Sequence, residues 1–484
     1  MKRRDFLKLG AAISVTTSSC LGNYKRNNSQ QDCVLPQKNC DFPNILILMT
    51  DQQTLNAMSS AGNPWVNTPY MDLLAAKGVR FTKSYCCMPV CAPSRSSFIT
   101  GFMPHQAGVN FNATAPQKNL PNLGKVFQQA GYKTVYFGKW HLPESYPRGW
   151  FVDVPGFDYV SIPSDISGVS LGLGDVTDSI VADQAILFLR WKRPSNQPFL
   201  AVVSFHNPHD ICYWVRDKPC KHNNLDKYPP LPTNFTFDPQ EPEFINWCRN
   251  RECHERPCYA PELQYTKTWD EQQWRAYLHA YYHMTEQVDK AVGRVLNALQ
   301  QAELEDNTLI VFTSDHGDGA TAHHWAAKLM LYEESIAIPM VIAGKGIPQG
   351  VVDDSHLVSN MDLLPTLCDY AGIAAPPTTG ISLKPLIEQP QQTIGRNHFV
   401  VELSVDPKRP EMMGRAIRSP RYKYIVFSTG QRPEMLFDME NDPGETHNLA
   451  YNSPSKDILV AHREQLTTWI KQTQDHFVMP RNLT

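Results

Sequence analysis

The chain has almost no surplus of charge. Its 45 basic and 48 acidic residues leave a formal net charge of −3 over 484 residues, which excludes bulk electrostatic attraction to nucleic acid or an anionic membrane. Any anion it recognises must be held by a local group of cations. It also lacks long hydrophobic runs at its start: the apolar stretch from Leu9 to Val15 is too short to span a bilayer. No internal repeat is present. The 12 cysteines include none of the Cys-x2-Cys pairs of most structural zinc modules. With 42% hydrophobic and 10% aromatic residues, the chain is not of the disordered class, and its length supports one large domain or two unequal ones.

Lys2-Arg3-Arg4-Asp5-Phe6-Leu7-Lys8 ahead of the short apolar stretch resembles a twin-arginine export signal. Residues 1–20 therefore read as a targeting segment outside the fold, and 21–41 as a polar linker. Ser18-Ser19-Cys20 places small residues before a cysteine, which makes Cys20 a candidate lipid anchor, although Thr17 stands where a larger apolar residue is usual. The expected location is periplasmic or cell-surface, where disulfides can form. Cys33, Cys40, Cys86, Cys87, Cys212, Cys220, Cys248, Cys253, Cys258 and Cys368 are the candidate disulfide partners. His254 beside Cys253 leaves a metal cluster as the alternative for the group from Cys212 to Cys258.

Continuous apolar runs at Asn44–Met49, Pro198–Phe205, Thr308–Phe312 and Ile338–Ile342 have the length of buried strands of a parallel sheet. Helical patterns fall between them, over Asn122–Ala130, Ile180–Trp191 and Asp270–Leu304. Alternating strands and helices predict an α/β fold with helices on both faces of a large mixed, mostly parallel sheet, over residues 42–380. Residues 206–268 break the rhythm and read as a Cys-rich insertion near the site. Its basic residues Arg216, Lys218, Lys221, Lys227, Arg249, Arg251 and Arg256, with Trp214 and Trp247, are solvated loop charge or, second, a ligand surface on which aromatics stack and cations pair. Residues 381–484 read as a smaller C-terminal subdomain with a short antiparallel sheet and a helix.

Two of the predicted strands run directly into carboxylates, at Thr50-Asp51-Gln52 and at Ser314-Asp315-His316-Gly317-Asp318. Open α/β sheets place ligands at the carboxyl edge of their strands, so this pair predicts a divalent metal site. Cys91-Ala92-Pro93-Ser94-Arg95 stands at a predicted helix start, with Ser96 to Thr100 beginning the helix, where free backbone N–H groups favour an oxyanion. Lys139 and His141 alternate along an extended segment and are expected on one face.

The run Cys91-Ala92-Pro93-Ser94-Arg95-Ser96-Ser97-Phe98-Ile99-Thr100-Gly101 resembles the sulfatase signature, with Pro at +2 and Arg at +4 from the cysteine. Gly131 to His141, ending Gly138-Lys139-Trp140-His141, resembles the second signature of the same family, and Leu436-Phe437-Asp438, Asp442-Pro443 and Asn448-Leu449 resemble its C-terminal pattern. The resemblance implies an alkaline phosphatase-like fold and hydrolysis of O-sulfate esters, with a sulfated carbohydrate as the expected substrate. It implies that a maturation enzyme oxidises Cys91 to formylglycine, whose hydrate is the nucleophile. By the same resemblance Arg95 holds the hydrate, Lys139 and Lys328 bind sulfate oxygens, His141 is the base, and His209 contacts sulfate or protonates the leaving alcohol. Asp51, Gln52, Cys91, Asp315 and His316 are the implied metal ligands, for calcium, or alternatively magnesium or another divalent ion. Gln52 replaces a commoner Asp and His316 a frequent Asn. His316 keeps a phosphonate or phosphate ester hydrolase open as the rival, and a non-catalytic sulfated-glycan-binding relative is the other. His323 and His324 are candidates for the substrate side or for buried structural positions.

Overall fold

In the computed structural model the described residues are 42–112, 114–142, 154–160, 174–216, 227–250, 262–390, 395–481 and 483. The export signal, the linker and Cys20, Cys33, Cys40, Cys220, Cys253 and Cys258 lie outside them, as do Lys218, Lys221, Arg251 and Arg256.

Among the described residues ten strands precede the C-terminal region: β1 (Asn44–Asp51), β2 (Gly78–Phe81), β3 (Ser84–Tyr85), β4 (Lys133–Gly138), β5 (Asp158–Val160), β6 (Phe199–Pro208), β7 (Thr308–Ser314), β8 (Met340–Gly344), β9 (Val351–Asp353) and β10 (Val358–Ser359). Eight of them form one sheet in the order β5-β4-β6-β1-β7-β8-β2-β9. β1 pairs parallel with both β6 and β7, β4 parallel with β5 and β6, and β2 parallel with β9, while β8 runs antiparallel to both of its neighbours. The sheet is therefore mixed and mostly parallel.

All eight residues of β1 are buried, and their alternation assigns them to the two faces. Ile45, Ile47 and Met49 pack with Leu200, Val202, Leu309 and Val311 against Phe98, Phe127, Leu363 and Leu367 on helices of one layer. Leu46 and Leu48 join Val203, Phe205, Ile310 and Phe312 against Val181, Val288, Val292 and Val295 on the other. Burial on both faces is what makes these strands unbroken apolar runs. The helix Glu271–Gln301 covers this second face and opens with a capping box between Asp270 and Gln273. Further on, β11 (Phe399–Ser404), β12 (Met413–Arg418), β13 (Tyr422–Phe427) and β14 (Glu434–Asp438) form an antiparallel meander, followed by the helix Lys456–Thr473.

The described parts of the insertion hold the helices Ile211–Trp214, Glu243–Asn250 and Glu262–Thr266. The cysteines depart from expectation. Among the described residues Cys86, Cys87, Cys91, Cys212, Cys248 and Cys368 are all buried and none is in a disulfide, so the pairing expected for five of them is absent. Cys86, Cys87, Cys248 and Cys368 serve as small apolar side chains in the hydrophobic clusters. No described helix is long and apolar enough to cross a membrane.

Candidate active site

Four parallel strands deliver five chemical groups to one edge of the sheet. β1 ends at Asp51, β7 leads into Asp315 and His316, β4 into Lys139, and β6 into His209. Registers Thr50↔Ser314, Asp51↔Pro208 and Gly138↔Ser204 bring these ends side by side. The helix Cys91–Thr100 starts one turn earlier than its sequence suggests, at Cys91 itself, and the Ala92 N–H donates to Asn112 Oδ1 at 3.0 Å. Cys91 thus occupies the electropositive first turn.

Arg95 ties the strand ends together. It is 1% exposed, and its Nε donates to Asp315 Oδ2 (2.9 Å), its Nη2 to Asp51 Oδ2 (2.8 Å), and its Nη1 to Lys139 O (2.7 Å) and Ser204 Oγ (2.9 Å). Lys139 Nζ lies 2.7 Å from Asp51 Oδ2, close enough for an ion pair but not aligned as a hydrogen bond. Around the Cys91 thiol stand Lys328 Nζ at 3.1 Å, His316 Nε2 at 3.2 Å and Asp51 Oδ1 at 3.9 Å. His141 and His209 also interact with it. Sγ here stands in for the oxygen atoms that an oxidised side chain would carry.

The electrostatics follow from burying this many charges. Burial and Asp51 would raise the Cys91 thiol, but Lys328, Lys139 and His316 outweigh them and hold it well below its ordinary value. Burial also raises Asp51, yet Lys139, His209, Arg95 and Lys328 bring it well below the usual carboxylate range. Asp315, buried and facing the Asp51 charge, is pushed up to about 6. Two carboxylates at this spacing, one of them unsettled, are a cation-binding arrangement. His209 is lowered to about 3 by burial, Lys139 and Lys328, and His141 is lowered by burial, so both are neutral at ordinary pH. Their Nδ1 atoms are buried without a hydrogen-bond partner.

The donor set fits a divalent cation. One ligand atom each from Asp51, Cys91, Asp315 and His316 lie within 4.8 Å of one another. His316 Nδ1 lies 2.9 Å from Gly317 O, which as a donor–acceptor pair leaves the Nε2 lone pair facing the site. Gln52 is placed differently. Its Oε1 accepts from Lys328 Nζ at 3.0 Å and its Nε2 donates to Asp318 Oδ2 at 2.7 Å, so its amide is engaged at both ends in holding Lys328.

Lys139 and His141 do not share one strand face by simple alternation. β4 ends at Gly138, which has φ +82° and whose added Cβ would lie 2.0 Å from Ser204 O, and His141 has φ +56°. The chain turns here, and the turn rather than strand pleat aims the two side chains. Asp318 is held by Tyr277 OH (2.8 Å) and Gln52, and Asn112, Ser204 and Tyr277 also support the site. None of these four carried a sequence signal beyond the proximity of Asp318 to His316.

The sulfatase family profile matches residues 43–373. This chain belongs to the sulfatase family. A profile described as N-sulphoglucosamine sulphohydrolase, C-terminal, matches residues 321–472. The sulfatase is 33% identical over 452 residues to a Delta 4,5-hexuronate-2-O-sulfatase of Bacteroides thetaiotaomicron, covering 90% of each chain. Among solved structures it resembles a 2-O GAG sulfatase with TM-score 0.78 and 32% identity, covering 90% of this chain and 93% of that one. A phosphonate monoester hydrolase of Agrobacterium radiobacter shares the fold, with TM-score 0.71 at 23% identity over 89% of this chain and 96% of that one. The mixed sheet with its small antiparallel companion is the architecture of these relatives.

Proposed function

We propose that the enzyme hydrolyses O-sulfate esters of a sulfated carbohydrate at Cys91, after a maturation enzyme has oxidised that residue to formylglycine. The observation that carries this reading is the convergence of Lys328, His316 and Asp51 on the Cys91 side chain at the start of a helix. Formylglycine supplies, as its hydrate, one hydroxyl able to take the sulfuryl group and a second whose deprotonation releases sulfate. Asp51, residue 91, Asp315 and His316 are the residues that would hold the divalent cation, which supplies positive charge against the sulfate oxygens.

The chain's own side chains account for the rest. Lys139 and Lys328 place two cations in a water-poor site, where they stabilise charge that develops on the transferred group and leaving oxygen. His141, neutral because it is buried, can accept a proton from residue 91. His209, neutral and with a free ring nitrogen, contacts a sulfate or ester oxygen. Arg95 fixes Asp51 and Asp315 and does not need to move during the reaction. A uronate 2-O-sulfate is the favoured substrate, supported by the hexuronate-2-O-sulfatase relative. Export guided by Lys2-Arg3-Arg4, with Cys20 as a lipid anchor, fits such a glycan substrate.

The test compares turnover of a 2-O-sulfated unsaturated hexuronate disaccharide with that of aryl phosphate and phosphonate monoesters. Sulfate release should dominate. Faster phosphate or phosphonate turnover would replace this reading with the rival on the same fold.

A further inference from the structure

A second group of potential ligands lies outside the residues of the Cys91 site. His323, Glu334 and Glu445 each offer one atom, and these atoms all lie within 4.8 Å of one another. His323 belongs to the turn Ala322–His324, Glu334 to the short helix Glu333–Ile336, and Glu445 follows β14.

His323 is 3% exposed, and its ring lies flat on Tyr332, with centroids 3.8 Å apart and planes at 9°. Its Nε2 faces Asn234 Nδ2 at 3.4 Å. That amide nitrogen has two protons, yet it also faces Glu334 Oε1 at 2.8 Å and Gly444 O at 3.0 Å. The two shorter contacts take the larger share of its protons, so the longest of the three holds the buried Nε2 lone pair only weakly. Glu334 Oε2 is likewise shielded from solvent and accepts no hydrogen bond. Glu445, also 3% exposed, uses Oε2 to accept from Glu333 N at 2.6 Å. Its Oε1 lies 2.5 Å from Lys423 Nζ but is not aligned for a hydrogen bond, because Lys423 donates to Leu331 O (3.0 Å) and Glu333 Oε1 (3.2 Å). One potential ligand atom from each residue thus stands within 4.8 Å of the others, and Glu334 Oε2 and Glu445 Oε1 accept no hydrogen bond. Among the described residues the cations at this group are Lys423, which pairs with Glu333 and Glu445, Arg418 beside Glu333, and Arg249, whose Nη2 donates to His323 O at 3.2 Å.

We propose that His323, Glu334 and Glu445 form a second divalent-cation site that takes a zinc-type transition ion. One neutral imidazole and two carboxylates match the ligands of such ions, whereas calcium asks for six to eight oxygens. The ion has a task in the fold. His323 and Glu334 bracket Lys328, the residue that donates to Cys91 Sγ. In and just ahead of that segment Ala320, Thr321, His323, His324, Ala327 and Leu329 all have φ between +44° and +73°, a conformation that persists only where the surroundings hold it. Tied to Glu445, the ion joins both ends of the Lys328 segment to the C-terminal sheet and makes His323, Glu334 and Glu445 positioning residues for Lys328.

The experiment is calorimetric titration of zinc chloride into chelator-stripped full-length protein held in excess calcium. Wild type should bind one equivalent and melt at higher temperature once it has done so. His323→Ala and Glu445→Gln should lose that equivalent and its melting shift, and the conservative Glu334→Gln should weaken it at least tenfold. Matching far-ultraviolet circular dichroism of the zinc-free proteins would show that the variants fold. Stripping zinc from wild type should lower kcat while leaving KM nearly unchanged. The proposal is overturned if wild type binds no zinc in excess calcium. It is also overturned if the equivalent survives His323→Ala but disappears in Asp315→Asn, since zinc then sits at the Cys91 site. Zinc binding does not depend on the sulfatase reading, so the two can fail separately.

Discussion

Replacing Arg95 by lysine tests the claim that one side chain assembles the active site from four strand ends. Arginine makes four hydrogen bonds of 2.7–2.9 Å, to Asp51, Asp315, Lys139 O and Ser204 Oγ, from a position shielded from solvent. Lysine keeps the charge but has no planar fork, and its single ammonium reaches at most two of these acceptors. Two charge-assisted bonds are then lost at roughly 1.5–3 kcal/mol each, so Arg95→Lys should destabilise the protein by about 3 kcal/mol or more. Because Asp51 and Asp315 lose their common anchor, turnover should also fall by at least about tenfold, corresponding to roughly 1.4 kcal/mol of transition-state stabilisation. Urea unfolding of wild type and variant under identical metal conditions gives the first number, and sulfate release gives the second. A variant within about 0.5 kcal/mol of wild type, the range of neutral surface changes, and with undiminished turnover would refute the reasoning.

Three further outcomes follow from the same geometry. His141→Ala should lower kcat by about 10²–10⁴-fold, as expected for loss of a general base, with KM nearly unchanged; steady-state kinetics on a sulfated sugar decide this. Gly317→Ala should weaken active-site metal binding, because a Cβ there would lie 2.0 Å from Glu334 O and must displace the backbone next to His316; calcium titration calorimetry reads the change. His105 contacts Glu402 Oε1 at 2.6 Å and Thr473 O at 3.1 Å, and although burial lowers it, Glu402 and Asp475 raise it above its ordinary 6.5. A raised folded-state value means that its ionic stabilisation is complete below about pH 6.5 and is lost as pH rises through that higher value. The stability gap between wild type and His105→Gln should therefore narrow between pH 6 and pH 9, and a constant gap would show that the pair is not ionic.

The central strands were legible because both of their faces are buried, which turns each into an unbroken apolar run such as Ile45–Met49. The carboxylates were legible for a related reason: a polar residue directly after such a run marks the sheet edge. Direction was not legible, since β8 has the same composition as its parallel neighbours yet runs against them. Strand alternation does not account for the aim of His141, because β4 ends at Gly138, where a close approach to Ser204 turns the chain. Cysteine content points to a compartment but not to pairing, since Cys86, Cys87 and Cys368 pack as apolar groups. Asp318 and Tyr277 went unnoticed because their contact with each other, 41 residues apart, is made only by the fold. The engagement of Gln52 by Lys328, across 276 residues, is of the same kind.

The most direct test of the account is the mass of the peptide containing residue 91, taken from catalytically active enzyme made in a host with the maturation machinery. Conversion of the thiol to an aldehyde lowers that mass by about 18 Da, one oxygen replacing sulfur and two hydrogens. The account predicts this shift, with sulfatase activity rising in proportion to the converted fraction. Full activity in protein whose Cys91 remains an unmodified thiol would contradict it, because the proposed nucleophile would then be absent.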